Sequence, residues 1–235
     1  MKATPLRGVI FDMDGVLVDS HAVHRTAWLE FFQTLGREVS GSELDFILDG
    51  RKRSEILRHF FGNCPDSELE EFGRRKDSIF QEMRLEASPV PGVVPMVRQL
   101  HRNGTALAVA TSASRKRAVS TLTDLGLVDC FPVIVAGEDV VLGKPDAAVY
   151  RLACTRLAIE PASLLAVEDA ISGVRSAVGA GLRCIGVALH ETRESLTGAG
   201  AIHVVRDFES VSAHDLECIF AGHDSGKLGA AVAGG

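Results

Sequence analysis

Two aspartates one residue apart, Asp12 and Asp14, follow directly on a short apolar run, Gly8 to Phe11, and Gly15 comes at once after them. The apolar run reads as a buried β-strand. In an extended chain residues i and i+2 point to the same side, so the two carboxylates are expected to face one spot at the strand's C-terminal end. Like charges so placed repel unless a proton or a cation lies between them. Gly15 allows a sharp turn and a close approach of backbone to ligand. A bare Asp-x-Asp is often only a polar turn. The whole run Asp12-Met13-Asp14-Gly15-Val16-Leu17-Val18-Asp19-Ser20, fed by an apolar strand, is much more specific.

Three further stretches carry groups of the same chemistry. Thr111-Ser112-Ala113-Ser114 places small hydroxyl residues after the apolar run Ala106–Ala110. At a helix start, hydroxyls and free N–H groups suit a phosphate. Gly143-Lys144-Pro145-Asp146 puts a lysine in a stiff turn before a helix. Glu168-Asp169 closes the run Leu164–Val167, with Gly173 shortly after. Each has a plainer explanation alone: a helix cap, a solvated loop lysine, acids favouring a helix start. Their recurrence at strand ends brings carboxylates and one lysine to one place.

The elements that must position them alternate. Apolar strands are expected at 8–11, 106–110, 133–135, 164–167, 184–187 and 202–205, with helices near 93–103, 116–125, 147–157 and 171–180. This alternation predicts an α/β fold, a Rossmann-like doubly wound parallel sheet, with ligands at the carboxyl ends of the strands. Residues 18–88 interrupt it. His24, Trp28, Phe31, Phe32 and Leu35 recur at helical spacing, and the apolar groups that follow, punctuated by glycines, read as further helices with no convincing strand. A helical insert directly after a catalytic strand predicts an all-helical cap. The expected domains are a core of 1–17 and 89–220, a cap of 18–88, and a disordered Gly/Ala-rich tail over 221–235.

Composition narrows the class. The chain has 235 residues and a formal charge of −6, which argues against general nucleic-acid binding. No apolar run approaches membrane-spanning length and no signal-peptide pattern opens the sequence. Five scattered cysteines without Cys-x-x-Cys spacing read as free thiols in a reducing cytoplasm. A monomer or weak dimer is expected.

The four strand-end stretches, taken in order, resemble the four motifs of the haloacid dehalogenase superfamily, and the likeness spans nearly the whole chain through Phe208. Within it the chain is similar to the group that holds β-phosphoglucomutase and small sugar-phosphate phosphatases. The resemblance implies Asp12 as the nucleophile forming an aspartyl-phosphate and Asp14 as general acid/base. It implies Thr111 or Ser112, with Lys144, as holders of the transferring phosphoryl group, alongside Gly15 and Ala113. It implies a Mg²⁺ site from Asp12, the Asp14 backbone carbonyl, Glu168 and Asp169. Charge neutralisation of this kind is what phosphoryl transfer needs. An aspartate two residues after the nucleophile separates phosphotransferases from dehalogenases. Ala170 stands where the fourth motif usually has serine.

Basic stretches in the insert, Gly50-Arg51-Lys52-Arg53-Ser54 and Arg74-Arg75-Lys76, read mostly as solvated helix surface. Arg53, Lys76 and His24 also resemble β-phosphoglucomutase positions, which implies contacts to a substrate's distal phosphate, whereas Gly143 stands where that mutase tends to have serine. The expected activity is Mg²⁺-dependent dephosphorylation of a small phosphorylated metabolite, with a phosphomutase as alternative. A binding protein that has lost turnover comes last.

Overall fold

The structure is a computed structural model that describes residues 5–62 and 64–222. In chain order the strands are β1 (Gly8–Phe11), β2 (Val18–Asp19), β3 (Ser88–Pro89), β4 (Ala106–Ala110), β5 (Val133–Val135), β6 (Leu164–Glu168), β7 (Arg183–Val187) and β8 (His203–Val205). The α-helices are α1 (His21–Thr34), α2 (Gly41–Leu48), α3 (Arg53–Phe61), α4 (Asp66–Met83), α5 (Val93–Arg102), α6 (Arg115–Asp124), α7 (Ala148–Leu157), α8 (Ile171–Gly179), α9 (Arg193–Ala199) and α10 (Ala213–Ala221).

Among the described residues, six parallel strands form one sheet in the order β5-β4-β1-β6-β7-β8. β1 and β6 lie side by side where the order reverses, and a crevice opens at that point of a doubly wound sheet. Both strands are buried along their length, which explains why they read as unbroken apolar runs rather than as alternation. Alternate residues supply the two faces. Val9, Phe11, Leu165 and Val167 join α5, α6 and α10 in one core cluster. Ile10, Leu164 and Ala166 join α7, α8 and α9 in the other.

Helices α1 to α4 form the cap, with a core of their own in which Trp28, Phe31, Phe32, Phe60, Phe61 and Phe72 pack ring against ring. Where the chain leaves and re-enters the sheet domain, β2 and β3 pair antiparallel. Strands of two residues are too short to show a period, so the sequence predicted none there. Helices α9 and α10 were also not foreseen; both start on side-chain caps, Thr192 and Ser212. The tail expected from 221 is displaced at its start, since Ala221 ends α10; beyond Gly222 it lies outside the described residues. Among those residues no helix is long and apolar enough to cross a membrane, and the five cysteines are free thiols.

The cap is seated on the sheet domain through specific contacts. Ser112 Oγ donates to the Gly50 carbonyl at 2.6 Å. Lys52 Nζ donates to the carbonyls of Val140 and Val141 at 2.8 and 3.1 Å, and Glu55 accepts from the Gly143 N–H at 2.7 Å. Helix α8 has Ala170 at its N-cap and no side-chain cap of its own; Asp49, from the cap, accepts from the Ser172 N–H at 2.9 Å instead. The missing hydroxyl at Ala170 is thus made good from the other domain.

Candidate active site

The carboxyl ends of β1, β4 and β6 open into a cleft of about 290 Å³ roofed by the cap. Asp12, Asp14, Gly15, His24, Arg53, Lys76, Thr111, Ser112, Ala113 and Asp169 all line it.

The floor is built from the strand ends. Asp12 keeps the sheet register, its N–H donating to the Val167 carbonyl at 2.9 Å. Lys144, 1 % exposed, donates to Asp12 Oδ1 at 2.8 Å and to Glu168 Oε1 at 2.6 Å. The Tyr150 hydroxyl donates to the same Glu168 oxygen at 2.7 Å. Glu168 therefore orients the lysine from behind rather than facing the cleft. Gly173 is required here, because a Cβ on it would overlap the Glu168 carboxylate. A Cβ on Gly15, at φ +76°, would likewise overlap Asp169.

Oxygens of Asp12, Glu168 and Asp169 lie within 4.8 Å of one another. Three carboxylates against one ammonium leave two negative charges in a buried place. Burial, which outweighs the opposing Lys144, pushes the Asp12 carboxyl up; burial with Glu168 and Asp12 pushes Asp169 well above the usual range. An all-oxygen donor set short of two positive charges fits a hard divalent cation. Lys144 itself is held protonated: burial opposes its charge, but Asp12 and Glu168 override it and raise its pKa.

Asp14 does not share this arrangement. Strand β1 ends at Phe11 and the chain turns, so the extended geometry expected through Asp14 is absent. Each carboxylate has its own cation, Lys144 for Asp12 and Arg117 for Asp14. Arg117 Nη1 and Nη2 donate to the two Asp14 oxygens at 2.7 and 2.5 Å. Ser20 Oγ donates to Oδ1 at 2.6 Å, and His24 Nε2 lies 3.4 Å from it. Burial would raise the Asp14 pKa, but Arg117 and His24 hold it well below the usual carboxylate range. The Asp14 side chain lies outside the Asp12–Glu168–Asp169 cluster; its expected part there was through its backbone carbonyl.

The cap residues form a second layer. Lys76, 4 % exposed, sits between the rings of Trp28 and Phe80 and donates to His24 Nδ1 at 3.1 Å. An ammonium can only donate, so Nδ1 accepts and Nε2 carries the proton that faces Asp14. Burial, with Lys76 adding to it, lowers His24 to about 3; burial and Arg117 lower Lys76 to about 7. Arg53 is bound to Asp77 and to the Gly73 carbonyl. Thr111 Oγ1 is buried and accepts from the Ala113 N–H at 3.1 Å, and the N-cap of α6 is Ser114, not Thr111 or Ser112.

Arg117, Tyr150 and Asp49 escaped the sequence reading. One signal for Arg117 was present: Arg115-Lys116-Arg117 stacks positive charge in the first turn of a helix, where it is unfavourable without a partner.

The model of the haloacid dehalogenase-like hydrolase family matches residues 9–187. Validoxylamine A 7'-phosphate phosphatase of Streptomyces hygroscopicus subsp. limoneus is 30 % identical, over 82 % of this chain and 91 % of that protein. β-Phosphoglucomutase of Bacillus subtilis is 28 % identical, over 77 % and 83 %. The crystal structure of CbbY from Rhodobacter sphaeroides in complex with phosphate superposes with a TM-score of 0.79 at 29 % identity, covering 90 % of this chain and 99 % of that one.

Proposed function

The chain belongs to the haloacid dehalogenase-like hydrolase family, and within it we propose a cytoplasmic, Mg²⁺-dependent phosphatase of a small phosphorylated metabolite, most simply a sugar phosphate. The observation that carries this reading is the Asp12–Lys144–Glu168 triad at the switch point of the sheet, with Asp169 beside it. Asp12 attacks phosphorus, the P–O bond to the substrate breaks, and Asp14, which Arg117 holds ionised at rest and which takes up a proton once released, gives that proton to the departing oxygen. Water, with Asp14 now taking the proton, releases phosphate from Asp12. Lys144 and the Thr111 hydroxyl, which accepts from the Ala113 N–H and keeps its own proton to donate, hold the phosphoryl oxygens in line, and Ser112, whose hydroxyl donates to the Gly50 carbonyl, lines the cleft beside them. Asp12 and Asp169 would hold Mg²⁺, whose charge offsets repulsion between the attacking carboxylate and the phosphate. Residues 18–88 act as the cap, hinged on the β2–β3 pair, and exclude bulk water. The enzyme is taken to work as a monomer or weak dimer.

Relatives named as a phosphatase of a phosphorylated validoxylamine and as a sugar phosphomutase leave two acceptors for the phosphoryl group, water and a sugar hydroxyl. Hydrolysis is preferred because Arg53, which would anchor a mutase intermediate, is engaged by Asp77. A screen of phosphorylated sugars that measures phosphate release beside isomer formation tests this. Steady release without isomer is expected; interconversion of glucose 1-phosphate and glucose 6-phosphate with little release would favour the mutase. A chelator should stop turnover and added Mg²⁺ restore it; turnover indifferent to chelation would remove the cation from the account.

A further inference from the structure

We propose that Arg117 sets substrate choice by holding Asp14 until a second acidic group on the substrate takes its place. This rests on the phosphatase reading, since it concerns the group that protonates the leaving oxygen. A carboxylate has room for about four donors. Ser20, His24 and Arg117 crowd Oδ1, and the second arm of Arg117 covers Oδ2. Held so, Asp14 cannot also meet a leaving oxygen well, and it must leave Arg117 to act.

Arg117 cannot simply be abandoned. Its side chain is 13 % exposed, with the Phe80 ring 5.0 Å away on the cap side. A buried guanidinium stripped of its counter-ion is strongly unfavourable, so release of Asp14 calls for another anion at the same fork. The other cations of the cleft are engaged elsewhere: Lys144 by Asp12 and Glu168, Arg53 by Asp77, Lys52 by the carbonyls of Val140 and Val141, and Arg51 by Asp49 and the Phe46 ring. Lys76 is boxed by Trp28, Phe80 and His24. Only at Arg117 does anion binding also free Asp14. The planar fork accepts a phosphate or a carboxylate with two parallel hydrogen bonds. The substrate class is therefore a phosphate ester carrying a second oxyanion within reach of Arg117.

The test compares three probes on wild type and Arg117→Met, a substitution that keeps packing against Phe80. Nitrophenyl phosphate has no second acid, phosphoglycerate adds a carboxylate, and fructose bisphosphate adds a phosphate. Wild type should prefer one or both of the diacidic probes, and which one identifies the second group. In Arg117→Met, kcat on nitrophenyl phosphate should rise, because Asp14 is no longer held. kcat/KM on the preferred diacidic probe should fall roughly 10- to 100-fold. Opposite signs cannot come from general loosening of the fold. Equal losses on all probes, or an unchanged preference, would overturn the proposal. Should Arg117→Met not fold, Arg117→Lys, which keeps the charge and loses the fork, carries the same comparison with a smaller change. Asp12→Asn separates the two levels: if it matches wild type on nitrophenyl phosphate, the phosphatase reading itself has failed.

Discussion

The floor and the roof of the cleft are built on different principles. On the floor, Asp12, Lys144, Glu168 and Tyr150 come from strand ends and the helix behind them, all within one domain. On the roof side, Asp14 meets Arg117 from α6 and His24 from the cap, and His24 in turn meets Lys76. The floor is nearly sealed and its geometry is fixed by the sheet. On the roof side the Asp14–Arg117 pair belongs to the sheet domain, and the cap adds His24 and, behind it, Lys76. On the proposed reading this is a division of labour: the sheet fixes Asp12 as the attacking group, whereas Arg117, with His24 from the cap, holds Asp14.

Disabling the floor gives the largest effect. Asp12→Asn removes the attacking charge with little change of volume, and turnover should fall on the order of 10³-fold or more with Mg²⁺ present. Measured phosphate release within tenfold of wild type would remove Asp12 as nucleophile.

Lys144→Met tests the floor's other role. It leaves Asp12 and Glu168 buried without their shared cation, so urea unfolding of the metal-free protein should show a loss of about 3–5 kcal/mol. No change in midpoint would mean that the triad is not the structural keystone of the floor.

Through Lys76 the roof should make stability depend on pH above neutrality. In the folded protein Lys76 loses its proton near about 7 instead of its ordinary 10.5. Between those values the unfolded chain binds more protons, so stability rises with pH, by up to about 1.4 kcal/mol per pH unit. Below pH 7 the burial penalty of the ammonium is fully present. Lys76→Met should reduce this slope; an identical slope in the variant would place its origin elsewhere.

The smallest effect belongs to the seam. Asp49→Ala removes the acceptor that the cap lends to α8, and should cost about 1 kcal/mol of stability, read in the same unfolding assay. Loss of several times that value would mean that Asp49 does more than cap the helix.

The same contrast separates what the sequence disclosed from what it did not. Each floor residue follows an apolar strand in the chain, and in a parallel sheet strand ends converge, so Asp12, Lys144, Glu168 and Asp169 could be grouped from the order of elements alone. Tyr150, in the first turn of α7, gave no such signal, because a buried aromatic on a helix looks like core packing. Asp49 acts across domains, whereas Arg117 meets Asp14 within the sheet domain, and a pairing between residues 103 positions apart leaves no periodic trace. The β2–β3 pair was lost for the opposite reason: it is local but too short to have a pattern. Asp14 lines the cleft, yet its partners were not foreseen, because an extended geometry was assumed through Asp14 where β1 already ends at Phe11.

The central claim is that the phosphoryl group passes through Asp12. Rapid quenching of turning-over enzyme into borohydride reduces an acyl phosphate to an alcohol, and peptide mass spectrometry then locates it. The account predicts conversion of the side chain at position 12 to the homoserine alcohol, dependent on substrate. Turnover with reduction at another carboxylate, or with none at position 12, would contradict it.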